Sequence, residues 1–414
     1  MTKAETATAE RPATRRPRNR KAQIIKVASI AFGERGYHPV GVDEIAAEIG
    51  ISGPALYRHF PNKYTLLVAV ADHLVESLID ASEPAQEIAD PRERLTTTLR
   101  EFMTNTIENR RGGGVYRWES QYLEPADRDR IRERWREVNE RVARPLRELR
   151  PDCDDADIAA LAAAALSVIA SITAHRTVLG TRRIEALLCD MSRAVLASDL
   201  PARAPAPVSR PVADAGLAVL SKRELLLTTA LSNFNTHGYH EASIEEIGVA
   251  AGMTASSVYR YFASKADLLA ALFYRTSERL SVITADALAE SPDSATALRN
   301  LADRYVTSAF THPELLSIYY AEFANLPQHE RKNLRALQQQ HIDQWTHLVT
   351  TELPDLPTVD ARFRVHAALG LVLDVGRLIR FDFSPCSRAR VVALMLAVLL
   401  AEPHSSTIET GSTS

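Results

Sequence analysis

Two short stretches of the sequence crowd side chains that donate hydrogen bonds to phosphate. These donors are Tyr57, Arg58, His59 and Lys63 in the first stretch, and Tyr259, Arg260, Tyr261 and Lys265 in the second. Proteins use such groups to hold the phosphate backbone of DNA in register. Neither predicted recognition helix offers an Asn or Gln to read adenine through two hydrogen bonds. The pattern predicts contacts that position the protein on DNA, with much of the specificity coming from DNA shape.

The charged donors differ in how closely their position defines their role. Lys63 and Lys265 stand at the start of a predicted helix, where backbone N–H groups and the helix dipole already favour phosphate. Both lysines are therefore predicted phosphate contacts. Arg58 and Arg260 can read guanine or neutralise phosphate, and we favour phosphate. Tyr261 is equally well explained as an ordinary surface residue.

Small and hydroxyl-bearing residues precede these donors. Gly53 and Ala55 allow close approach of the backbone and contact with a thymine methyl group, whereas Ser256 and Ser257 offer flexible hydroxyls. The further predicted DNA contacts are Gly41, Val42, Ser52, Pro54, Ser243, Thr254 and Ala255. Because the two segments differ, we expect an operator with unequal half-sites.

The elements that must position these residues occur twice. Residues 20–74 align with residues 222–276 at a constant offset of 202, without a gap, which indicates an internal duplication. Apolar residues recur with helical spacing in both copies, and Gly36 and Gly238 are placed to end the first helix. A short helix over roughly Val42–Ile49 follows in the first copy.

Turn and capping residues divide the rest of each copy. Gly50 and Gly252 stand where a tight turn must join two short helices. The predicted N-caps are Ser52 and Thr254 for a helix ending near Phe60 and Phe262, and Asn62 and Ser264 for a longer fourth helix, while Ser243 and Glu246 match a capping box. This order of helix, tight turn and capped helix is typical of a helix-turn-helix unit.

Beyond the fourth helix the repeat continues at an offset of 203, as in Glu119 and Glu322 or Arg128 and Arg331. The predicted fold class is therefore all-α, with two fused units that each combine a three-helix DNA-binding domain with a helical bundle for ligand binding and pairing. The predicted domains are a basic arm (1–19), a first helix-turn-helix domain (20–80), a first bundle (81–199), a Pro-rich linker (200–217), a second helix-turn-helix domain (218–280), a second bundle (281–402) and a tail (403–414).

Composition restricts where DNA could bind. The net charge is −3, so a DNA surface must be local. Arg15, Arg16 and Arg18 lie in a Pro-containing arm that is predicted to be disordered when free and to contact the minor groove or phosphate; a solvated tail is the alternative. The three cysteines fit reduced, buried thiols in a cytoplasmic protein. The uncharged run 158–174 is too weakly apolar for a membrane span and is predicted to be a packed helix.

Residues 45–63 resemble the DNA-binding domain of TetR-family transcriptional repressors, and residues 247–265 resemble it a second time. The resemblance rests on Gly50, on Leu56 or Val258 before Tyr-Arg-x-Phe, and on the lysine that follows at fixed spacing. A two-copy chain of this length is similar to the tandem TetR-type repressors of mycobacterial lipid-import operons.

The resemblance implies double-stranded operator DNA as the partner. It makes Tyr57 and Tyr259 phosphate contacts, with His59 and Tyr261 beside them, although a tyrosine packed inside the domain is the alternative. Family members usually pair through the last two helices of two chains. Here the two halves are expected to pair with each other, and further pairing of chains stays open.

The resemblance also implies a small effector that fills a bundle and shifts the fourth helix. The candidate ligand residues are Phe102, Met103, Trp118, Glu119, Tyr122 and Arg176 in the first half, and Tyr319, Glu322, Phe323, Trp345 and Asp374 in the second. Aromatic residues at helical spacing are also explained as core. Glu119 and Glu322 are more suggestive, because an acid among apolar residues needs a partner or a ligand. The surroundings favour an apolar effector of lipid, acyl or sterol type.

Two other classes of protein are alternatives to a ligand-controlled repressor. The sequence has no Gly-rich phosphate loop, no His/Cys set at metal spacing and no nucleophile motif, so no enzyme, cofactor or metal site is predicted. The alternative is a ligand-insensitive architectural DNA-binding protein, which would not need a large bundle in each half.

Overall fold

The computed structural model describes residues 20–115, 122–202 and 221–403. Within these ranges the chain is helical and contains no β-strand, which confirms the all-α class. Arg15, Arg16 and Arg18 of the arm, the ligand candidates Trp118 and Glu119, and most of the predicted linker and tail lie outside the described residues.

Eight helices of the first half fall in the described ranges. They are α1 (Arg20–Arg35), α2 (Val42–Ile49), α3 (Gly53–Tyr57), α4 (Lys63–Ser82), α5 (Pro91–Glu108), α6 (Pro125–Leu149), α7 (Asp155–Ala170) and α8 (Thr181–Leu196), with 3₁₀ turns at Glu83–Glu87 and Ser171–Thr173.

The described part of the second half contains nine helices. They are α9 (Lys222–His237), α10 (Ile244–Ala250), α11 (Ala255–Val258), α12 (Lys265–Ala289), α13 (Ser294–Thr311), α14 (Pro313–Ala321), α15 (Gln328–Glu352), α16 (Thr358–Leu378) and α17 (Pro385–Leu399), with a 3₁₀ turn at Phe323–Asn325.

Glycines set the ends of helices in the two helix-turn-helix units, the first reader (α1–α4) and the second reader (α9–α12). Gly36 and Gly238 have φ angles of 84° and 80° where α1 and α9 end, and Gly50 and Gly252 have φ angles of 74° and 65° in the turn between the two short helices. A side chain is strained in this region of φ. The predicted positions of the helix end and of the tight turn are confirmed.

Side-chain caps start the helices that follow. Ser243 forms the predicted capping box with Glu246, and Asn62 forms one with Thr65. The helices α3 and α11 are shorter than predicted, ending at Tyr57 and Val258 rather than near Phe60 and Phe262. In the first copy the chain tightens there, because the His59 N–H donates to the carbonyl of Leu56, three residues back, at 2.8 Å.

Each DNA-reading domain has its own apolar core. Phe32 on α1, Leu56 on α3 and Leu66 on α4 are at most 1% exposed, and Phe234 and Val258 repeat this packing in the second domain. Burying a side chain of this size stabilises by about 1.5–3 kcal/mol, whereas helices as short as α2 and α3 are unstable alone. The fourth helices α4 and α12 run past the predicted boundaries at 80 and 280, so they connect each reading domain to its bundle.

One hydrophobic cluster runs through the bundles of both halves. The helix α7 packs against α16, and α8 packs against α17. Fully buried small residues, including Ala164 and Ala165 on α7 and Ala367 and Ala368 on α16, allow close packing. The segment Asp155–Thr173 is long and apolar enough by composition to cross a membrane, but it lies in this contact, which agrees with the predicted packed helix.

Two ion pairs cross between the halves, and their aspartates are related by the repeat. Asp157 on α7 pairs with Arg390 on α17, and Asp360 on α16 pairs with Arg183 on α8, whose Nε donates at 2.9 Å. The two aspartates are 203 positions apart, which is the offset of the repeat. The contact between the halves therefore has a pseudo-two-fold character.

The cysteines differ from the expectation of buried thiols. All three are unpaired; Cys189 is exposed, and Cys153 and Cys386 are partly buried. Cys189 lies on α8 between buried Leu188 and partly buried Asp190, on the side of the helix that faces solvent.

We predict that Asp360→Asn destabilises the contact between the halves. Asp360 is 1% exposed, and the amide would leave Arg183 without its charge partner. Losing a buried hydrogen bond to a charged group lowers the free energy of unfolding by about 1–3 kcal/mol. The midpoint of thermal unfolding should therefore fall. Asp355→Asn, at an exposed loop position of the same half, is the control. Equal melting temperatures for both variants would contradict a stabilising role for the ion pair.

Candidate DNA interface and ligand cavity

The second helix of each helix-turn-helix unit presents aromatic donors to solvent. Tyr57 and Tyr259 are 48% and 50% exposed, and Tyr261 is 42% exposed. Arg58 and His59 beside Tyr57 are exposed as well. The tyrosines are therefore not packed inside their domains. All these side chains are accessible to a ligand outside the domain.

The second reader holds its polar side chains in a local network. The hydroxyl of Thr254 accepts from the N–H of Ser257 at 3.3 Å, which caps α11, and Arg260 donates to the hydroxyl of Ser257 at 2.9 Å. Ser256 lies within 3.1 Å of the Thr254 hydroxyl. The first reader has no matching network, because Ser52 makes no side-chain cap to α3.

Several predicted DNA contacts occupy structural positions. Val42 is 8% exposed and its side chain belongs to the core of the first reader, so a DNA contact at this residue stays a prediction. The hydroxyl of Ser243 caps α10, and Gly41 precedes α2 in an extended conformation. The Cβ atom of a larger residue at Gly53 would meet the end of the exposed Asp43 side chain, so α3 and α2 come close at this glycine.

Lys265 and Lys63 point back into their own domains. The ammonium of Lys265 donates to the carbonyl oxygens of Tyr239 (2.7 Å), His240 (3.1 Å) and Ala242 (2.8 Å), and burial lowers its pKa. Lys63 donates to the carbonyl of His38 at 2.9 Å. Each ammonium also lies over a tyrosine ring, 4.6 Å and 4.5 Å from the centroid. This geometry assigns the lysines to holding the loop after the first helix, which the sequence reasoning missed.

Two other cations lie at the start of the first helix of each reader. Lys21 stands over the ring of Phe60 at 5.6 Å, and Arg223 stands over Phe262 at 5.2 Å. The two cations are 202 positions apart, the offset of the repeat. The sequence repeat could therefore have identified Lys21 and Arg223 as a matched pair of residues.

The two reading domains touch through a pair of repeat-related histidines. The rings of His38 and His240 stack at 3.9 Å between centroids. Burial, then the nearby His240, Lys63 and Lys265, lower the pKa of His38 to about 4. A neutral ring can stack closely where two imidazolium ions would repel one another.

Glu322 connects this contact to the bundle of the second half. It is 1% exposed and accepts from the N–H of Tyr239 at 3.3 Å and from the amide of Asn325 at 2.6 Å. The Asn325 side-chain oxygen accepts from His240 at 2.8 Å. Tyr122 of the first half lies 3.5 Å from Glu322 and packs its ring on His38. The predicted need of this acid for a partner is thus met inside the protein.

A cavity of about 760 Å³ lies between the halves. The second half contributes most of its wall, including Leu280, Tyr305, Tyr319 and Ile342 from the bundle. The first half contributes the segment 171–177 and part of α1, including Phe32. Arg176, Tyr319 and Phe323, all predicted ligand residues, are among the residues that line it.

The other described ligand candidates lie elsewhere. Phe102, Met103 and Trp345 are at most 5% exposed and belong to the apolar core, which is the alternative that helical spacing left open. Asp374 accepts from Ser167 of the first half at 2.5 Å, so it belongs to the contact between the halves. His175 also lines the cavity. The sequence did not single it out, because a lone histidine after an apolar helix forms no recognisable motif.

The described residues contain no group of three or more His, Cys, Asp or Glu side chains arranged to hold a metal ion.

The sequence matches the family described as "Bacterial regulatory proteins, tetR family" over residues 24–70 and again over residues 226–272. Residues 89–174 match "Tetracyclin repressor-like, C-terminal domain". The chain is 36% identical over 115 residues to the HTH-type transcriptional activator FasR of Mycolicibacterium smegmatis, covering 27% of this chain and 52% of that protein. The chain thus spans about half the length of that relative.

Two further similarities concern a relative and a solved structure. The nucleoid occlusion factor SlmA of Vibrio atlanticus is 26% identical over 136 residues, which cover 32% of this chain and 68% of that protein. The ketosteroid transcriptional regulator KstR2 of Mycobacterium tuberculosis superposes with a TM-score of 0.39 at 22% identity, covering 44% of this chain and 94% of the other.

Lys265→Met separates a phosphate contact from a structural role. The observed contacts predict that the variant leaves three carbonyl oxygens without their donor, lowering the free energy of unfolding by about 1–3 kcal/mol. A phosphate contact would instead leave the melting temperature unchanged and reduce the salt dependence of DNA binding by about one unit of slope. Lys222→Met removes an exposed ammonium nearby and controls for charge alone.

The stacked histidines predict a pH dependence of stability. The folded state keeps His38 neutral down to a pKa of about 4, whereas the ordinary value is 6.5. The unfolded chain binds more protons in between, so stability is full above about pH 6.5 and falls as the pH drops towards 4. The difference in unfolding free energy between wild type and His38→Asn should shrink over this window in urea titrations. An exposed-site variant, His347→Asn, should keep the wild-type profile; a constant difference for His38→Asn would refute the prediction.

Proposed function

We propose that the chain, which matches the DNA-binding domain of the tetR family twice, is a transcriptional regulator whose two halves pair with each other and present two unequal readers to one asymmetric operator. The observation that carries the proposal is the packing of α7 and α8 against α16 and α17 within one chain. The crossed ion pairs of Asp157 and Asp360 support it, since they repeat one contact on both sides of the interface.

The readers contact the DNA backbone through their exposed donors. Tyr57, Arg58 and His59 serve one half-site, and Tyr259 and Arg260 the other, with centres about 34–36 Å apart as for paired helix-turn-helix units. The proposal for the two half-sites rests on the different residues and networks of α3 and α11.

A small molecule in the cavity between the halves controls DNA binding. The support is a cavity wall drawn from both halves, including part of α1 of the first reader. A ligand moves the equilibrium only through its different affinity for the two states, and a swing from 1:99 to 99:1 needs about 5.5 kcal/mol. We propose release of a repressor in the cytoplasm by a lipid, acyl or sterol-like molecule, in line with the resemblance to repressors of lipid-import operons.

A second candidate is a ligand-insensitive architectural DNA-binding protein. The likeness to a protein named nucleoid occlusion factor favours it. It differs from the first candidate in one observable, because no small molecule would change the affinity for DNA.

The mass of the protein–operator complex tests the pairing. One chain per operator is expected, because one chain supplies both readers. The operator fragment comes from selection of bound sequences out of a random DNA library. Two chains on a minimal site, with neither half-site protected by one chain alone, would rule out the intramolecular pair.

Matched tyrosine variants test the two unequal readers on the same fragment. Tyr57→Phe should weaken protection of one half-site and Tyr259→Phe that of the other, each by about two- to tenfold for one lost hydrogen bond. Equal loss at both half-sites with either variant, or tighter binding to a perfect palindrome, would contradict an asymmetric operator. Insensitivity of the complex to any added lipid extract would favour the architectural candidate.

A further inference from the structure

The rim of the cavity is cationic. Arg176 from the first half and Arg331 and Arg335 from α15 line it. Among the described residues, no carboxylate pairs with any of the three. The acidic residue in the described lining is Glu34, and its carboxylate is paired with Arg111 at 2.7 Å. Arginines that line one cavity and have no carboxylate within salt-bridge distance attract a negatively charged ligand.

Two histidines that line the cavity each carry a ring N–H that donates to none of the described residues. The indole N–H of Trp345 donates to Nε2 of His341 at 3.1 Å; since indole nitrogen only donates, the neutral imidazole carries its proton on Nδ1. The N–H of Thr177 donates to Nδ1 of His175 at 3.3 Å, so the proton of that ring sits on Nε2.

These two protonated nitrogens are buried and have no partner among the described residues. His175 is 5% exposed. Burial lowers the pKa of His341 to about 4, so the ring is neutral near pH 7 and keeps this tautomer. A buried N–H without an acceptor calls for an oxygen atom from a ligand or from water.

Part of the cavity wall is apolar. It includes Leu280, Tyr305 and Ile342, and Tyr305 is 4% exposed. Such a surface fits hydrocarbon rather than a wholly polar ligand.

We propose that this cavity binds an amphiphilic anion, with a carboxylate or phosphate headgroup at the arginine rim and a hydrocarbon chain against the apolar wall. The proposal rests on the function proposed above and gives the chemical class of the effector. A neutral sterol or hydrocarbon would leave the rim arginines without counter-charge, so the acidic group is the distinguishing feature.

The site also connects to both readers. Phe32 of the cavity wall lies on α1 of the first reader. Phe323 of the wall begins the 3₁₀ turn whose last residue, Asn325, accepts from His240 of the second reader at 2.8 Å. A headgroup that draws Arg335 towards it also moves a side chain that lies 5.5 Å from the ring of Phe323. Occupancy therefore acts on the contact between the readers.

Titration calorimetry on the full chain tests the charge requirement. Dodecanoate and dodecyl phosphate supply the two headgroups on one tail, dodecanol supplies the tail alone, and inorganic phosphate the headgroup alone. At least one of the two amphiphilic anions should bind about tenfold more tightly than dodecanol, the effect of one charge-assisted hydrogen bond. The tighter of the two identifies the headgroup.

Variants locate the site. Arg176→Gln and Arg335→Gln should each reduce the preference for the anion over dodecanol about tenfold, whereas Arg299→Gln, an exposed position away from the cavity lining, should not. Equal affinity for dodecanol and the anions, or no binding of any amphiphile, would overturn the proposal. DNA binding by the same preparation is measured alongside; its persistence shows that the failure concerns the ligand class and not the DNA-binding function.

Discussion

The contact of α7 and α8 with α16 and α17 is the constraint on which the rest of the structure depends. It buries the last helices of both halves in one apolar cluster, and its small residues permit close packing. The paired aspartates give the contact a fixed register, since Asp157 and Asp360 each meet an arginine of the opposite half. With this contact formed, the first reader and the second reader are brought to the same side of one chain and can touch through His38 and His240.

Glu322 and the turn that follows it connect the contact between the readers to the cavity wall. Glu322 is buried, and its hydrogen bonds include those to the loop after α9, to the adjacent turn and to Tyr122 of the first half. A buried acid held in such a network restrains the loop, because moving one partner away would leave the buried carboxylate short of a hydrogen bond. The same turn carries Phe323 into the cavity wall. The contact between the readers and the cavity wall are therefore linked through short-range contacts.

Much of the fold could be predicted because local chemistry and tertiary structure agree in these segments. The glycines at 36, 50, 238 and 252 adopt the positive φ that few other residues tolerate, and Asn62 and Ser243 cap the helices they precede. The burial of Val42 was not predicted, because a residue at the start of a helix can face either the core or the solvent and sequence spacing alone does not decide between them. Lys265 shows the same limit: its ammonium reaches carbonyl groups 23 to 26 positions away.

The sequence by itself determined the duplication, the all-α class and the helix-turn-helix units, because these follow from local spacing, capping and the identity of two aligned segments. Which predicted ligand residues share a cavity was decided by tertiary structure: Tyr319 and Arg176 line one wall, while Phe102 and Trp345 fill the core. The cationic rim was decided at this level as well, since it joins α15 to a segment of the other half. The physical reason is that such a site is made by residues distant in sequence, and its chemistry exists only once packing has placed them together.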